Sequence, residues 1–220
     1  MRFAVHRKAD SSRRSRRRTY HGHLLSNNPF APGSSGDRSV ASAPMTTAPL
    51  TSPVDGVTIG PARVADGADL WRIARGSGEL DLNSPYSYLL WCRDFADTTA
   101  VARDTSGRPV GFVTGYLRPD APGTLFVWQV AVEGSHRGTG VAGTLLDALS
   151  DRVAAEHGLH RIEATVTPGN LASDRLFRSY ARRHRADLTQ EVLFPAAAFP
   201  TAGHESEVLY RIGPLGSPEA

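Results

Sequence analysis

The sequence predicts an α/β fold with one mixed central sheet of about six to seven strands, flanked by about four helices. Apolar runs typical of strands and amphipathic runs typical of helices alternate over residues 57–213 in the order β-α-α-β-β-β-α-β-α-β-β. Strands follow one another without a helix early and late in this order, which indicates antiparallel pairs. A strand–helix–strand unit in the middle indicates one parallel crossover, so a doubly wound parallel sheet is not expected.

The first elements have recognisable boundaries. Residues 57–64 read as a strand, and residues 66–78 as a helix with Asp66 placed to cap it. A second helix is predicted over residues 85–95, where Ser84-Pro85 supplies an N-cap and a proline at the first helical position.

A hairpin and a long apolar strand follow. Residues 98–104 and 109–118 flank a turn that contains Gly107, and residues 124–133 form a nearly continuous apolar run. The remaining predicted elements are a helix that ends near His157, a strand at 160–166, a helix at 170–184, and strands at 186–194 and 204–213.

Length and composition suit one globular domain of ordinary size. The chain has 220 residues, of which 40% are hydrophobic and 21% charged, and no apolar run approaches the ~20 residues that span a bilayer. Cys92 is the only cysteine, which excludes an internal disulfide and argues against a thiolate zinc site. We therefore expect a cytoplasmic protein without a membrane association, and no metal site is evident.

Residues 1–54 are predicted to be a disordered segment rich in Arg, Ser and Pro. Nine of the 25 basic residues and two of the 22 acidic residues lie in residues 1–44, so this part carries +7 and the remainder −4. The abrupt change in composition favours translation from Met45; a nucleic-acid-binding arm and a transit peptide are the alternatives. The folded domain is expected to span 55–214, followed by a tail at 215–220.

A glycine-rich stretch, SHRGTGVAGTLLDAL, joins the long apolar strand to the next helix. Gly138, Gly140 and Gly143 allow positive φ angles and a close backbone approach, and Arg137 can donate two hydrogen bonds to an anion. Unpaired N–H groups at a helix N-terminus favour phosphate, although a tight turn alone would also explain the glycines. No lysine follows Lys8, which excludes a Walker-A loop, and a Rossmann loop would follow the first strand.

Arg137-x-x-Gly140-x-Ala142 resembles the Q/R-x-x-G-x-G/A motif of the GNAT superfamily of acetyl-CoA-dependent N-acetyltransferases. That resemblance implies the GNAT fold and a coenzyme site in which backbone N–H groups hold the pyrophosphate and a strand pairs with the pantetheine arm. The residues it implies for acetyl-CoA are Val130, Val132, Arg137, Gly138, Gly140, Ala142 and Asn170.

Other stretches are similar to one family within that superfamily, the L-2,4-diaminobutyrate acetyltransferases of ectoine synthesis. They are LDLNSPYSYLLWCRDF, GFVTGYLRPDAPGTLFVWQVAV, TVTPGNLASDRLF and HESEVLYRIGP, and the similarity covers roughly residues 57–214. It implies acetyl transfer to the 4-amino group of L-2,4-diaminobutyrate. Another small amine or a peptide N-terminus is the alternative acceptor.

An acetyl acceptor of this kind needs anionic partners for an ammonium and a base, because only the neutral amine attacks a thioester. Asp81 is predicted to bind a substrate ammonium, and Asn83, two residues later, is predicted to line the same site. The competing interpretation is that Asp81 only caps a turn. Glu207 and His204 are the candidate bases, and Trp128 is predicted to wall the amine pocket unless it belongs to the core.

The general acid is left unassigned. Many GNAT enzymes have a tyrosine seven residues after the motif asparagine, and this sequence has Phe177 there. Tyr180 lies one helical turn further on, roughly on the same face. We expect direct transfer rather than an acetyl-Cys92 intermediate. The resemblance implies a homodimer, and no nucleic-acid partner is expected despite the arginine-rich N-terminus.

Overall fold

A seven-stranded mixed sheet organises the chain, in the order β1-β2-β3-β4-β5-β7-β6. The computed structural model describes residues 54, 56–78, 80–200 and 203–216. The strands are β1 (Thr58–Pro61), β2 (Thr99–Arg103), β3 (Pro109–Leu117), β4 (Thr124–Val132), β5 (Arg161–Val166), β6 (Leu188–Phe194) and β7 (Glu207–Ile212). The helices are α1 (Gly67–Ser77), α2 (Pro85–Asp94), α3 (Val141–His157) and α4 (Leu171–Arg183).

Only β4 and β5 run parallel, and every other neighbouring pair in the sheet is antiparallel. The parallel pair is joined by α3, as a crossover connection requires. The predicted α/β fold, its order of elements and the numbers of strands and helices are therefore confirmed. The segment 1–54 lies outside the described residues, apart from Val54.

The sheet has a hydrophobic core on each face. Leu145, Leu149 and Tyr180 come from α3 and α4 and belong to the larger core cluster on one face. Leu70 and Tyr88 come from α1 and α2 and belong to the smaller cluster on the other face. Alternation along the strands divides their side chains between the two clusters, which is the pattern of a sheet covered on both sides.

Asp66 does not cap α1 as predicted. Its backbone is already helical (φ −75°, ψ −19°) and closes a short 3-10 turn over Val64–Asp66. Its carboxylate accepts from Arg63 N at 2.6 Å and pairs with Arg103 at 2.6 Å. The acid therefore links the start of α1 to β2.

Pro85 is the first residue of α2, as predicted, but the cap that precedes it differs from the prediction. Ser84 has the extended backbone of an N-cap, yet its Oγ hydrogen-bonds Ser87 Oγ at 3.1 Å rather than a backbone N–H.

The packed part of the chain extends past residue 214. Leu215 lies in the larger core cluster, and its N–H donates to His160 O at 2.9 Å. The first residue of the predicted tail is thus part of the folded unit. Within the described residues, no helix combines the length and apolarity needed to cross a bilayer.

Candidate active site

A gap in the middle of the sheet creates the site. β4 pairs with β5 only from Thr124 to Val127, opposite Arg161 to Ala164. Beyond that point β4 continues beside β3, while β5 continues beside β7. The two parallel strands therefore separate at their carboxyl ends, where ligands commonly bind in α/β proteins.

The larger of two cavities at this gap has a volume of about 820 Å³. The seven residues predicted for acetyl-CoA all lie in its lining: Val130, Val132, Arg137, Gly138, Gly140, Ala142 and Asn170. The structure thus brings together a strand, a glycine loop and two helix N-termini. Whether each residue contacts the coenzyme remains a prediction.

Backbone conformation explains two of the glycines in the loop. Gly138 has φ +78° and Gly140 has φ +93°, and a Cβ at either position would meet no atom within 4 Å. Glycine is thus favoured here by backbone conformation rather than by space. Gly140 is the N-cap of α3, so the first N–H groups of that helix have no intrahelical acceptor, an arrangement that favours an anion.

The edge of β4 at the larger cavity offers further backbone groups. Glu133 N donates to Val110 O at 2.8 Å, and hydrogen-bonded pairs alternate along an antiparallel ladder. Val130 and Val132 therefore direct their N–H and C=O groups away from β3, toward the gap left by β5. This is the geometry that an extended amide ligand requires.

Arg137 is more engaged than the sequence predicted. Its Nε donates to Val132 O at 3.0 Å, and Nη2 reaches Gly76 O at 3.5 Å and Ser77 O at 3.4 Å. Because Nε is committed to Val132 O, the pair of donors formed by Nε and Nη2 is not available to phosphate in this arrangement. The guanidinium instead ties the glycine loop to the C-terminal end of α1.

A stripe on α4 supplies the other positive charges of the larger cavity. Arg175, Ser179 and Arg183 lie four residues apart and line it together. Arg183 pairs with Asp147 of α3 at 2.9 Å, whereas Arg175 is exposed. Sequence reasoning missed this stripe, although its i, i+4 spacing was visible.

The smaller cavity has a volume of about 460 Å³ and meets the larger one at Leu80 and Asn170. Its lining includes every residue predicted for the substrate and for the base: Asp81, Asn83, Trp128, His204 and Glu207. These residues come from the α1–α2 loop, β4, the β6–β7 loop and β7, so only the tertiary structure assembles them.

Carboxylates dominate the smaller cavity. Asp81, Glu205 and Glu207 line it, and its described lining contains no Arg or Lys. His204 Nε2 lies 3.7 Å from Asp81 Oδ2, and its Nδ1 lies 2.6 Å from Glu205 O. The ring also stacks on Phe199 with centroids 3.6 Å apart. The cavity suits a cationic ligand, while the arginines of the larger cavity suit an anion.

Two competing interpretations from the sequence are wrong. The carboxylate of Asp81 accepts no hydrogen bond from a backbone N–H of the described residues and lies 3.7 Å from His204 Nε2, so it does not cap a turn. Trp128 is 49% exposed and stacks on Trp91 of α2 at 6.3 Å, so it is not a core residue. Glu205 lies before β7 and Glu207 is its first residue, and both line the same cavity.

Comparisons with known proteins agree with this geometry. Residues 67–181 match the model of the acetyltransferase (GNAT) family. The chain belongs to the GNAT acetyltransferase family. It is 65% identical over 155 residues to L-2,4-diaminobutyric acid acetyltransferase of Streptomyces coelicolor, covering 70% of this chain and 91% of the relative. The enzyme of the same name from Marinococcus halophilus is 43% identical over 162 residues, covering 74% and 92%.

A solved structure is also similar. Diaminobutyrate acetyltransferase from Paenibacillus lautus, in complex with L-2,4-diaminobutyric acid and coenzyme A, is 42% identical with a TM-score of 0.69. The match covers 74% of this chain and 98% of that one. The resemblance stated from the motifs is therefore confirmed, together with the GNAT fold.

The general acid of this GNAT protein is not supplied by either aromatic residue considered. Phe177 is buried and packs on Tyr210, with ring centroids 6.2 Å apart. Tyr180 is fully buried in the larger core cluster, outside the lining of both cavities, and burial raises its pKa. A tyrosine one turn beyond the usual position thus points into the core instead of the site.

Sequence reasoning missed one buried polar residue of the smaller cavity, Gln129. Its place in the middle of an apolar strand was the available signal, since a buried amide needs hydrogen-bond partners. Asn170, predicted near the pantetheine arm, also caps α4, and its Oδ1 accepts from Ser173 N at 3.0 Å. No group of three or more His, Cys, Asp or Glu among the described residues is arranged to hold a metal ion.

Proposed function

We infer that this protein transfers the acetyl group of acetyl-CoA to the 4-amino group of L-2,4-diaminobutyrate, giving N4-acetyl-L-2,4-diaminobutyrate and CoA in ectoine synthesis. The observation that carries this function is the junction of the two cavities at Asn170: one is lined by arginines and helix N-termini, the other by carboxylates. The 65% identity to a diaminobutyric acid acetyltransferase supports the same acceptor.

We assign acetyl-CoA to the larger cavity. Its pyrophosphate meets the N–H groups that follow Gly140, where the α3 dipole also favours negative charge. Its pantetheine amides pair with the edge of β4 at Val130 and at the N–H of Val132, since Val132 O already accepts from Arg137 Nε at 3.0 Å. This placement directs the thioester along β4 toward the gap, where the two cavities meet.

The acceptor enters the smaller cavity as a cation. Diaminobutyrate carries two ammonium groups and one carboxylate, so a pocket with three carboxylates compensates its excess positive charge. Asp81 binds the ammonium that does not react, and Asn83 offers an uncharged donor to the substrate carboxylate. The face of Trp128 bounds the hydrocarbon chain.

The reacting ammonium must lose a proton before its nitrogen attacks the thioester carbon. Glu207 takes that proton in our assignment, because its carboxylate lines the cavity and forms no hydrogen bond or ion pair with the described residues. His204 already contacts Asp81 and Glu205 O and is the second candidate. As the C–S bond breaks, the departing thiolate takes a proton from solvent or from the substrate ammonium.

The acceptor is tested by measuring CoA release with diaminobutyrate, ornithine, lysine and spermidine, followed by NMR assignment of the acetylated nitrogen. We expect the highest kcat/KM with diaminobutyrate and acetylation at N4. Equal or better turnover with lysine would assign the chain to another acceptor.

We further propose that the protein is a homodimer. β6 is an edge strand of the sheet, and Val192, Leu193 and Phe194 on it are exposed. An exposed apolar edge is a surface that proteins usually cover. Sedimentation analysis tests this assignment: the wild type should sediment as a dimer and a Val192→Lys/Phe194→Lys variant as a monomer.

A cytoplasmic location is proposed from the chemistry of the chain. Its single cysteine is buried and unpaired, which fits a reducing compartment, and acetyl-CoA is a cytoplasmic metabolite. No nucleic-acid partner is proposed, because residues 45–220 carry a net charge of −4. Fractionation of cells expressing the tagged protein checks the location.

A further inference from the structure

A β-bulge places an extra side chain in the smaller cavity. Thr114 of β3 pairs with Gln129, but Gly115 pairs with Val127, so Trp128 has no partner in β3. Regular alternation would send Trp128 and Gln129 to opposite faces, yet both line the same cavity. Gly115 permits the bulge, since a Cβ there would lie 2.7 Å from Phe126 O.

Gln129 is buried, and both ends of its amide are hydrogen-bonded. Its Nε2 donates to Asp81 O at 3.0 Å, and its Oε1 accepts from Tyr88 OH at 3.0 Å. Asp81 O can only accept, which requires the NH₂ group on that side and leaves Oε1 for the tyrosine. The amide therefore connects α2 to the α1–α2 loop through β4.

Tyr88 anchors the other end of this connection. Tyr88 is fully buried, with 0% of its surface accessible. Its ring packs edge-on against Phe112 of β3, with ring centroids 6.1 Å apart. Burial raises the pKa of its hydroxyl, while hydrogen bonds with Gln129 and Asn83 oppose that rise. The hydroxyl stays protonated and contacts a second residue of the same loop.

We propose that Gln129 is a positioning residue, which acts with Tyr88 to fix the loop of residues 80–84 and thereby sets affinity for the acceptor amine. The loop has no regular secondary structure, and Leu80, Asp81 and Asn83 of it line the smaller cavity. The carboxylate of this loop, Asp81, is exposed, while its backbone carbonyl is held by the part-buried hydrogen bond from Gln129. This role rests on the function proposed above.

Two variants test the role with minimal change in shape. Tyr88→Phe removes one hydroxyl, and Gln129→Met replaces the amide with an apolar chain of similar size. Each is expected to raise the KM for diaminobutyrate about three- to tenfold, the range for one lost hydrogen bond, and to change the KM for acetyl-CoA less than twofold. The effect of the double variant on that KM should be smaller than the product of the two single effects, because both changes remove the same hydrogen bond between Tyr88 and Gln129.

Tyr210→Phe is the matched control. It also removes a tyrosine hydroxyl from a buried ring, here one that donates to Asp174 Oδ1 at 2.7 Å, and Tyr210 lines neither cavity. Both KM values should stay within twofold of the wild type. An unchanged KM for diaminobutyrate in Tyr88→Phe, equal changes in both KM values, or additive effects in the double variant would overturn the proposal.

Hydrogen exchange provides a readout that needs no substrate. Amides of residues 80–84 should exchange faster in Tyr88→Phe than in the wild type and be unchanged in Tyr210→Phe. If the wild type exchanges as expected but does not acetylate diaminobutyrate, the acceptor assignment fails and the positioning role stands. If Gln129→Met does not fold, Tyr88→Phe alone decides, and unaltered exchange in it refutes the role.

Discussion

The two cavities that meet at Asn170 are built in different ways. The larger one is lined mainly by one continuous segment, the end of β4 and the start of α3, together with one face of α4. The smaller one takes side chains from four segments that are far apart in sequence. Under the proposed function, a local stretch of backbone would hold the coenzyme, whereas side chains that only the fold assembles would select the acceptor.

The largest effect is expected from the smaller cavity. Glu207→Gln keeps the shape of the side chain but removes its proton affinity, and kcat should fall by about 100-fold or more, the usual contribution of a general base. The KM for acetyl-CoA should not change, because Glu207 is absent from the lining of the larger cavity. Steady-state kinetics measure both quantities. A greater loss of kcat in His204→Ala than in Glu207→Gln would move the base to the histidine.

Replacing a glycine of the larger cavity should instead change the KM for acetyl-CoA and leave the KM for diaminobutyrate unchanged. Gly140→Ala forces a side chain into φ +93°, and a left-handed conformation costs a non-glycine residue roughly 1–2 kcal/mol. If the loop shifts to relieve this cost, the KM for acetyl-CoA rises about tenfold and that for diaminobutyrate stays constant. Gly134→Ala is the control, since that glycine has no positive φ and an added Cβ meets nothing within 4 Å. Equal effects of the two variants would contradict the assignment of the loop.

A smaller effect is expected from the charges on α4. Arg175→Ala should weaken CoA binding about two- to fivefold at low salt and less at high salt, because an exposed charge is screened. Arg182→Ala removes the same charge from the same helix, outside the cavity lining, and should leave binding unchanged. Calorimetric titration with CoA at two ionic strengths compares them. A loss of affinity that does not depend on salt would exclude an electrostatic role for Arg175.

No effect on transfer is expected from the single cysteine. Cys92 is buried in the smaller core cluster, and burial raises the pKa of its thiol from 9.0 to about 11. Cys92→Ala should retain wild-type kcat, which would show that the two cavities suffice for direct transfer. A thiol with this pKa holds about 100-fold less thiolate at pH 8 than one at 9.0, so iodoacetamide should react slowly until the pH approaches 11. Rapid alkylation at pH 8 would contradict its burial.

The glycine loop shows why part of the site could be predicted from the sequence. Its function depends on local properties, namely positive φ at Gly138 and Gly140 and a helix start directly after them. These properties are encoded within six residues and need no distant partner. Arg137 shows the limit, because its contacts with carbonyls at the end of α1 depend on how that helix packs.

Gln129 marks what local reasoning could not find. Regular strand alternation would place it on the face opposite Trp128, and a bulge opposite Gly115 brings both into one cavity. The capping predictions at Asp66 and Ser84 failed for a related reason, since a distant arginine and a neighbouring serine compete for their oxygens. Side chains with several available partners are assigned by tertiary packing.

The sequence by itself determined the order of strands and helices, the glycine loop before α3 and the residue types available for acid–base chemistry, because hydrophobic periodicity, glycine conformation and side-chain chemistry are local. The tertiary structure alone decided that β4 and β5 separate after Val127, that carboxylates from two loops and a strand share one cavity, and that Tyr180 faces the core. These features depend on strand register and on packing between segments more than 100 residues apart in the chain, such as Asp81 and His204.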